Sequence, residues 1–241
     1  MAAKKKNSIN LKQFTLKKLS VIIGRVLLWF FLVSVLWVLA FRFINPPITL
    51  LMMMRNIERK TDGKTFKTEK EWVKLDDMSP NMKRAAIAGE DQLFVHHSGF
   101  DMKAISRAYS ANKDGGKIKG GSTISQQTAK NVFLWPGRSW IRKGFEAYFT
   151  VLIEFLWGKQ RILEVYLNVI EMGDGIYGAE AAAQSYYGKS CRNLTRSEAA
   201  YIVACFPNPL RWTPVHPTLY IRHRHYLIMQ NIRRLGPLRF K

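Results

Sequence analysis

The sequence predicts a mainly α-helical protein in which one membrane helix precedes a single outer domain. A long apolar run lies near the N-terminus, and helix start and stop signals recur from Ser79 onward. No segment shows a convincing alternation of apolar and polar residues, which is the pattern of a half-buried strand. With 241 residues, the chain has room for one domain and this appendage.

The apolar run extends from Val21 to Ile44 and has no charged residue between Val26 and Phe41. A helix needs about 20 residues to cross a bilayer, and arginines at its ends can reach the headgroups. A signal peptide cut near Ala40 is the alternative, but the run is long for a signal and rich in Trp and Phe. We therefore predict a basic tail over 1–20, a transmembrane helix over 21–44 and an outer domain over 45–241.

The flanking charges predict how this helix is oriented. Residues 1–25 contain seven lysines and arginines and no acidic residue. Because basic flanks stay in the cytoplasm, the N-terminus is predicted to be cytoplasmic and the outer domain to lie outside the cytoplasm.

The net charge of +21 is unevenly distributed. Eight of the 38 basic residues precede Asn45, whereas all 17 acidic residues follow it, so the outer domain retains about +13. Such a field suits an anionic partner, which would be a phospholipid headgroup, a pyrophosphate or a nucleic acid. Export across a membrane disfavours nucleic acid.

The remaining elements follow from local signals. Pro46-Pro47 ends the anchor, 48–54 is a short apolar run, and 61–77 is predicted to be irregular or extended. Cap signals then delimit helices. The predicted helices are one from Ser79-Pro80 to Glu90, one over 102–112 capped by Asp101, one with Gln126 to Lys130 capped by Ser122, one from Ser139 to Trp157, one over 159–171, one from Gly178 to Tyr187 stopped by Gly188, one after the box Thr195–Glu198 reaching Phe206, and one over 217–235.

Two polar blocks in the middle of the chain carry groups that a reaction needs. The first runs from Glu90 to Gly99, and the second runs from Gly120 to Asn131. Glycines let the backbone approach a ligand closely, whereas hydroxyl and amide side chains supply hydrogen-bond donors without charge. Two carboxylates and a lysine add charge, so the blocks indicate an active site.

The two blocks closely resemble the first two motifs of the peptidoglycan glycosyltransferases, a lysozyme-like family that polymerises lipid-linked disaccharides. The first block has the family pattern Glu-Asp-x-x-Phe-x-x-His-x-Gly. The stretch from Arg142 to Glu146, with Glu154 further on, resembles the third motif, although Thr150 and Ile153 replace the usual Ala and Leu. The stretch from Ile162 to Asn168 resembles the fourth motif, and Glu198 with Pro207-Asn208-Pro209 outlines the fifth.

The resemblance implies a lysozyme-like fold in a bacterial inner membrane and a reaction that joins lipid II to the growing lipid-linked glycan. It implies that Glu90 is the general base and that Glu146 also takes part in catalysis. Glu146 would orient Arg142 or help to hold a divalent cation, Mg²⁺ or Mn²⁺, against the diphosphate. The substrate-binding residues implied are Asp91, Phe94, His97, Gly121, Thr123, Gln127, Lys130, Asn131 and Arg142.

Several of these residues also have an ordinary structural interpretation. Arg142 and Glu146 are four apart on a helix, where an ion pair contributes only a few tenths of a kcal/mol. His96 and His97 are adjacent and have no third ligand nearby, so His97 is predicted to orient a neighbour rather than to bind zinc. Glu164 and Asn168 share a helical face and are predicted to brace the fold.

Other features limit the range of functions. Ser110-Ala111-Asn112-Lys113 has the Ser-x-x-Lys spacing of a penicillin-binding domain, but the chain has no Lys-Thr-Gly, so we predict a monofunctional enzyme. The two cysteines, Cys191 and Cys205, are predicted to be unpaired.

The alternative functions are a lysozyme-like lytic enzyme that acts on finished glycan and a non-catalytic basic scaffold. Expected partners are lipid II, membrane phospholipid and proteins of a division or elongation complex.

Overall fold

The computed structural model describes residues 7–103, 106, 121–137 and 139–240, with side chains from Lys18 onward. Among these residues the chain forms nine α-helices and three short strands, so the mainly helical prediction is confirmed. The chain divides into two units between Phe43 and Ile44. The predicted helix over 102–112, Gly120 and the Ser110–Lys113 stretch lie largely or wholly outside the described residues.

The first unit is a single helix, α1, over Asn7–Phe43. The most apolar stretch within Lys18–Phe43 has a mean hydropathy of 2.4, and only 11% of that stretch is buried. By length and composition, this helix is able to cross a membrane, in agreement with the predicted anchor.

The second unit contains the other helices and a small sheet. Its helices are α2 (Leu50–Thr61), α3 (Pro80–Glu90), α4 (Ile124–Phe133), α5 (Trp140–Leu156), α6 (Gly158–Val169), α7 (Ala179–Tyr187), α8 (Arg196–Ala204) and α9 (Leu219–Arg234). The strands are β1 (Glu69–Lys70), β2 (Glu171–Gly173) and β3 (Ile176–Tyr177). In the order β1-β3-β2, β3 pairs with β1 in parallel and with β2 antiparallel.

The structure corrects the expectation that strands are absent and the predicted ends of two helices. The helix predicted over 159–171 ends at Val169, and Glu171 belongs to β2, where it lies opposite Tyr177. Strands of two or three residues are too short to produce an alternating pattern, so no sequence signal predicted them. The helix predicted to reach Phe206 likewise ends at Ala204.

Most of the helix starts follow the predicted caps. Ser79, Ser139 and Thr195 each accept a hydrogen bond from the first turn of their helix, and Gly188 ends α7 in the left-handed conformation at φ 62°. The cap of α4 differs, because it is Thr123 rather than Ser122. The Thr123 hydroxyl accepts from the backbone N–H of Gln126, whose side chain accepts from the N–H of Thr123.

The helices pack in two groups that meet near Glu90. Helix α3 packs on α8 and α9, whereas α4 packs on α5 and α6. Gly89 allows the first group to close, because a Cβ there would lie 2.6 Å from Val203 Cγ1. The end of α3 therefore faces α4 from the other group.

Glu164 and Asn168 on α6 hold the segment that leads into α3. The Asn168 side chain exchanges two hydrogen bonds of 2.9 Å with the backbone of Val73, and Glu164 Oε2 accepts from the N–H of Leu75 at 2.9 Å. The bracing role predicted for both residues is confirmed. Cys191 and Cys205 are buried free thiols, as predicted.

Candidate active site

Glu90 is the last residue of α3, and its carboxylate meets a side chain from α4. The Gln127 Nε2 donates a hydrogen bond of 2.9 Å to Glu90 Oε2. The fully buried Tyr166 on α6 donates its hydroxyl to Gln127 Oε1 at 3.3 Å, which fixes the orientation of the amide. A relay of two hydrogen bonds therefore positions the Glu90 carboxylate.

A cation from the last helix also approaches Glu90. The Arg224 Nη2 lies 3.7 Å from Glu90 Oε1, while its Nε donates to the carbonyl of Ala204 at 3.1 Å. Burial raises the pKa of Glu90, whereas the Gln127 hydrogen bond, Arg224 and Lys130 lower it and Asp91 raises it. The net direction is upward, which suits a base that works near neutral pH.

Asp91 supports the loop that follows Glu90. Its Oδ2 accepts from the N–H of Ile124 at 3.0 Å, at the start of α4, where the helix dipole favours a negative charge. Both of its oxygens lie within 3.0 Å of His97 Nε2, and His97 Nδ1 accepts from the N–H of Gly99 at 3.1 Å. Both ring nitrogens are engaged, so His97 orients its neighbours as predicted and is not placed to bind zinc.

Phe94 and Thr123 both make structural contacts near Glu90. The Phe94 ring has no exposed surface and lies under the Lys159 ammonium, with Nζ 4.6 Å from the ring centroid. The ring packs beneath the site and lines neither cavity, so its predicted contact with substrate stays a prediction. The Thr123 hydroxyl serves the α4 cap and donates to the carbonyl of Gly99 at 2.6 Å.

The cations of the second and third motifs form a group on α4 and α5. Arg142 Nη1 lies 3.4 Å from Glu146 Oε2, and Lys143 forms a close ion pair with the other Glu146 oxygen. Arg142 Nε is buried and has no hydrogen-bond partner among the described residues. Burial lowers the pKa of the Lys130 ammonium. The Glu146 carboxylate raises this pKa, whereas Arg142 and Lys143 lower it. A cationic group with unused donors suits an anion.

Two cavities lie beside these groups. One, of about 370 Å³, is lined by Glu90 and Asp91 together with Gly121, Thr123 and neighbouring polar and apolar residues. The other, of about 320 Å³, is lined by Gln127, Lys130, Asn131 and Arg142 and by apolar side chains that include Trp135. The hydrogen bond from Gln127 to Glu90 links the walls of the two cavities. Phe94, His97 and Glu146 line neither cavity.

Four residues of the site were not predicted from the sequence: Tyr166, Arg224, Arg55 and Glu171. Tyr166 lies inside the fourth motif, and that position is its only signal. Arg224 is one of seven basic residues after Glu198, and nothing in the sequence marks it as the one that approaches Glu90. Arg55 and Glu171 both line the cationic cavity although they are 116 positions apart.

The residues present do not fit a resident metal ion. In the described ranges, no group of three His, Cys, Asp or Glu side chains is close enough to hold one. The Glu146 carboxylate already faces Arg142 and Lys143. We therefore assign no step to a divalent cation.

Comparisons with known proteins extend over most of the chain. The transglycosylase family model matches residues 58–233. A biosynthetic peptidoglycan transglycosylase of Pseudomonas fluorescens strain Pf0-1 is 51% identical over 212 residues, which is 88% of each chain. The proteins of the same name are 48% identical in Stutzerimonas stutzeri, over 92% of this chain and 91% of the relative, and 47% identical in Pseudomonas aeruginosa, over 88% and 91%.

Proposed function

Because this chain belongs to the transglycosylase family, as a peptidoglycan transglycosylase, we propose that it polymerises lipid II into glycan strands and releases undecaprenyl pyrophosphate. The acceptor's sugar hydroxyl attacks the anomeric carbon of the donor. The bond between that carbon and the diphosphate oxygen breaks, and the diphosphate leaves with the electron pair. The attack comes from the opposite face, so the configuration inverts.

The observation that carries this proposal is the place of Glu90 between a cationic cavity and an acidic one. A sugar hydroxyl is a weak nucleophile and needs a positioned base, which is the role we assign to Glu90. Its carboxylate borders the cavity with Gly121 and Thr123, which we assign to the acceptor. Through Gln127 it contacts the wall of the cavity that we assign to the donor.

The donor's diphosphate requires fixed positive charge when it departs. Lys130 and Arg142 line the cationic cavity and supply that charge, and Arg142 offers its unpaired Nε. Glu146 holds Arg142 and Lys143 in place, so we assign it an orienting role. The apolar wall that includes Trp135 gives the start of a lipid chain a surface to contact.

Incubation of the intact protein with lipid II tests the proposal directly. We expect glycan polymer together with released undecaprenyl pyrophosphate. Cleavage of finished glycan without polymerisation would identify a lytic enzyme, and inertness toward both substrates would favour a scaffold.

The pH dependence of polymerisation is expected to report the environment of Glu90. Glu90 must be ionised to accept a proton, so activity falls as pH drops through its pKa. Arg224 lowers that pKa, so in Arg224→Gln the pKa rises further and the acid limb of kcat/KM moves to higher pH. Arg224→Lys keeps the charge and should keep the limb close to its original position.

Arg222→Gln is the matched control for this measurement, because Arg222 is exposed on the same helix two residues earlier. It removes one positive charge without changing the surroundings of Glu90. Superimposable profiles for wild type and Arg224→Gln would show that Arg224 does not tune the catalytic base.

The apolar helix α1 indicates membrane anchoring, and we propose a cytoplasmic N-terminus with the second unit in the periplasm or on the outer face of the inner membrane. The seven basic residues in positions 1–25 support this orientation. Phospholipid and the division or elongation machinery are the partners expected there. A periplasm-only reporter fused after Lys241 should be active, and activity from a fusion before Ser20 instead would reverse the topology.

A further inference from the structure

Arg55 and Glu171 line the cationic cavity, yet both lie outside the regions that carry the other cations. Arg55 is on α2, the first helix of the second unit, and Glu171 opens β2. They border the same space as Lys130 and Arg142 on α4 and α5. The cavity is therefore walled by cations from three helices.

Two acidic residues hold the Arg55 guanidinium. Its Nε lies 3.3 Å from Glu171 Oε2, and its Nη1 donates to Glu58 Oε2 at 2.8 Å. The Tyr177 hydroxyl donates to the second oxygen of Glu171 at 3.3 Å, which fixes the carboxylate in turn. Arg55 Nη2 makes no hydrogen bond to any residue in the described part of the chain. The guanidinium is thus oriented and has donors to spare.

The exposed fractions show which member of the pair is more accessible. The Glu171 side chain is 8% exposed, whereas that of Arg55 is 32% exposed. Burial raises the pKa of Glu171, and Arg55 opposes this effect. The cation therefore lies toward the open space, and the carboxylate lies behind it.

Attachment of α2 to the sheet does not depend on Arg55 alone. Arg59, one turn further along α2, contacts both oxygens of Asp174 at 2.6 Å and donates to the carbonyl of Thr65 at 3.0 Å. Asn56 donates to the Thr68 hydroxyl at 2.6 Å and accepts from the N–H of Lys67 at 3.0 Å. Neither Arg59 nor Asn56 lines the cavity.

We propose that Arg55, oriented by Glu171, is a third cation that binds the diphosphate of the lipid-linked substrate. This inference rests on the proposed function, in which the cavity receives that diphosphate. A diphosphate presents more anionic oxygens than Lys130 and Arg142 satisfy, and a guanidinium binds two of them at once. Arg55 thus belongs to the substrate-binding residues.

The test measures binding of farnesyl diphosphate, a short lipid diphosphate, to the full-length protein in detergent by calorimetry. We expect Arg55→Ala to weaken binding by about 10-fold or more, the usual effect of losing a hydrogen bond between charged groups. The loss should be smaller for farnesyl monophosphate and absent for farnesol. Arg55→Lys should recover part of the affinity, and the KM for lipid II should rise in Arg55→Ala.

Arg59→Ala is the matched control, because it removes an arginine that fastens the same helix but lies outside the cavity. An equal loss of affinity in Arg59→Ala and Arg55→Ala would assign the effect to the docking of α2 and overturn the inference. Unchanged affinity in Arg55→Ala, while Lys130→Ala weakens binding, would also overturn it and leave the proposed function standing. Failure of the wild-type protein both to bind the diphosphate and to polymerise lipid II would refute the proposed function and this inference together.

Discussion

Replacement of Glu90 by glutamine is expected to reduce lipid II polymerisation by about 100- to 10,000-fold, the range that loss of a general base produces. Glutamine has the same shape as glutamate, but its amide does not accept the proton of the attacking hydroxyl. The amide oxygen can still accept the hydrogen bond from Gln127, so the α3–α4 contact should survive. We therefore expect a normal melting temperature and nearly normal binding of lipid II.

The rate of polymer formation by purified Glu90→Gln, measured beside its circular dichroism spectrum, decides this prediction. Glu69→Gln is a suitable control, because Glu69 is an exposed carboxylate on β1 that contacts Ser185 and Lys67. It makes the same chemical change outside both cavities and should leave turnover unchanged. Near-normal turnover in Glu90→Gln would remove Glu90 from the mechanism.

Replacement of Lys130 or Arg142 by alanine is expected to lower turnover by about 100- to 1,000-fold, as the loss of one preorganised electrostatic group does in other enzymes. Both cations line the cavity assigned to the donor, where negative charge develops on the departing diphosphate. An interaction made mainly in the transition state affects kcat more than it affects acceptor binding. Arg142→Lys should also be impaired, because an ammonium cannot form the bidentate hydrogen bonds that a guanidinium forms with phosphate.

Steady-state polymerisation by each variant separates this role from an ordinary ion pair between Arg142 and Glu146. Arg192→Ala supplies the comparison, since Arg192 is 71% exposed and lies 3.7 Å from Asp77 in a surface ion pair. Surface pairs contribute little, so this variant should polymerise at the wild-type rate. If Lys130→Ala and Arg142→Ala behaved like Arg192→Ala, the diphosphate role would be disproved. A hydrolase that releases a sugar hydroxyl would likewise have no diphosphate for these cations to hold.

Local sequence patterns were enough to identify the apolar membrane helix, most of the helix boundaries and the family. Helix starts and stops depend on a few neighbouring residues, so Ser79, Ser139 and Gly188 were identified without tertiary information. Membrane spanning depends on the length and composition of one segment, and the family motifs are also short and local. Glu90 and Lys130 could both be predicted as active-site residues, because each lies in a recognisable polar block.

Tertiary packing alone decided which side chains face the cavities. Phe94 lies in the same block as Glu90, but its ring is buried in the core, whereas Arg224 comes from a distant helix and approaches the carboxylate. Tyr166 becomes part of the site only because α6 packs on α4 and places its hydroxyl against Gln127. Arg55 forms a hydrogen bond with Glu171, although the two residues are 116 positions apart in the sequence. Contacts between distant segments depend on how whole helices pack together, and no local pattern of residues encodes that arrangement.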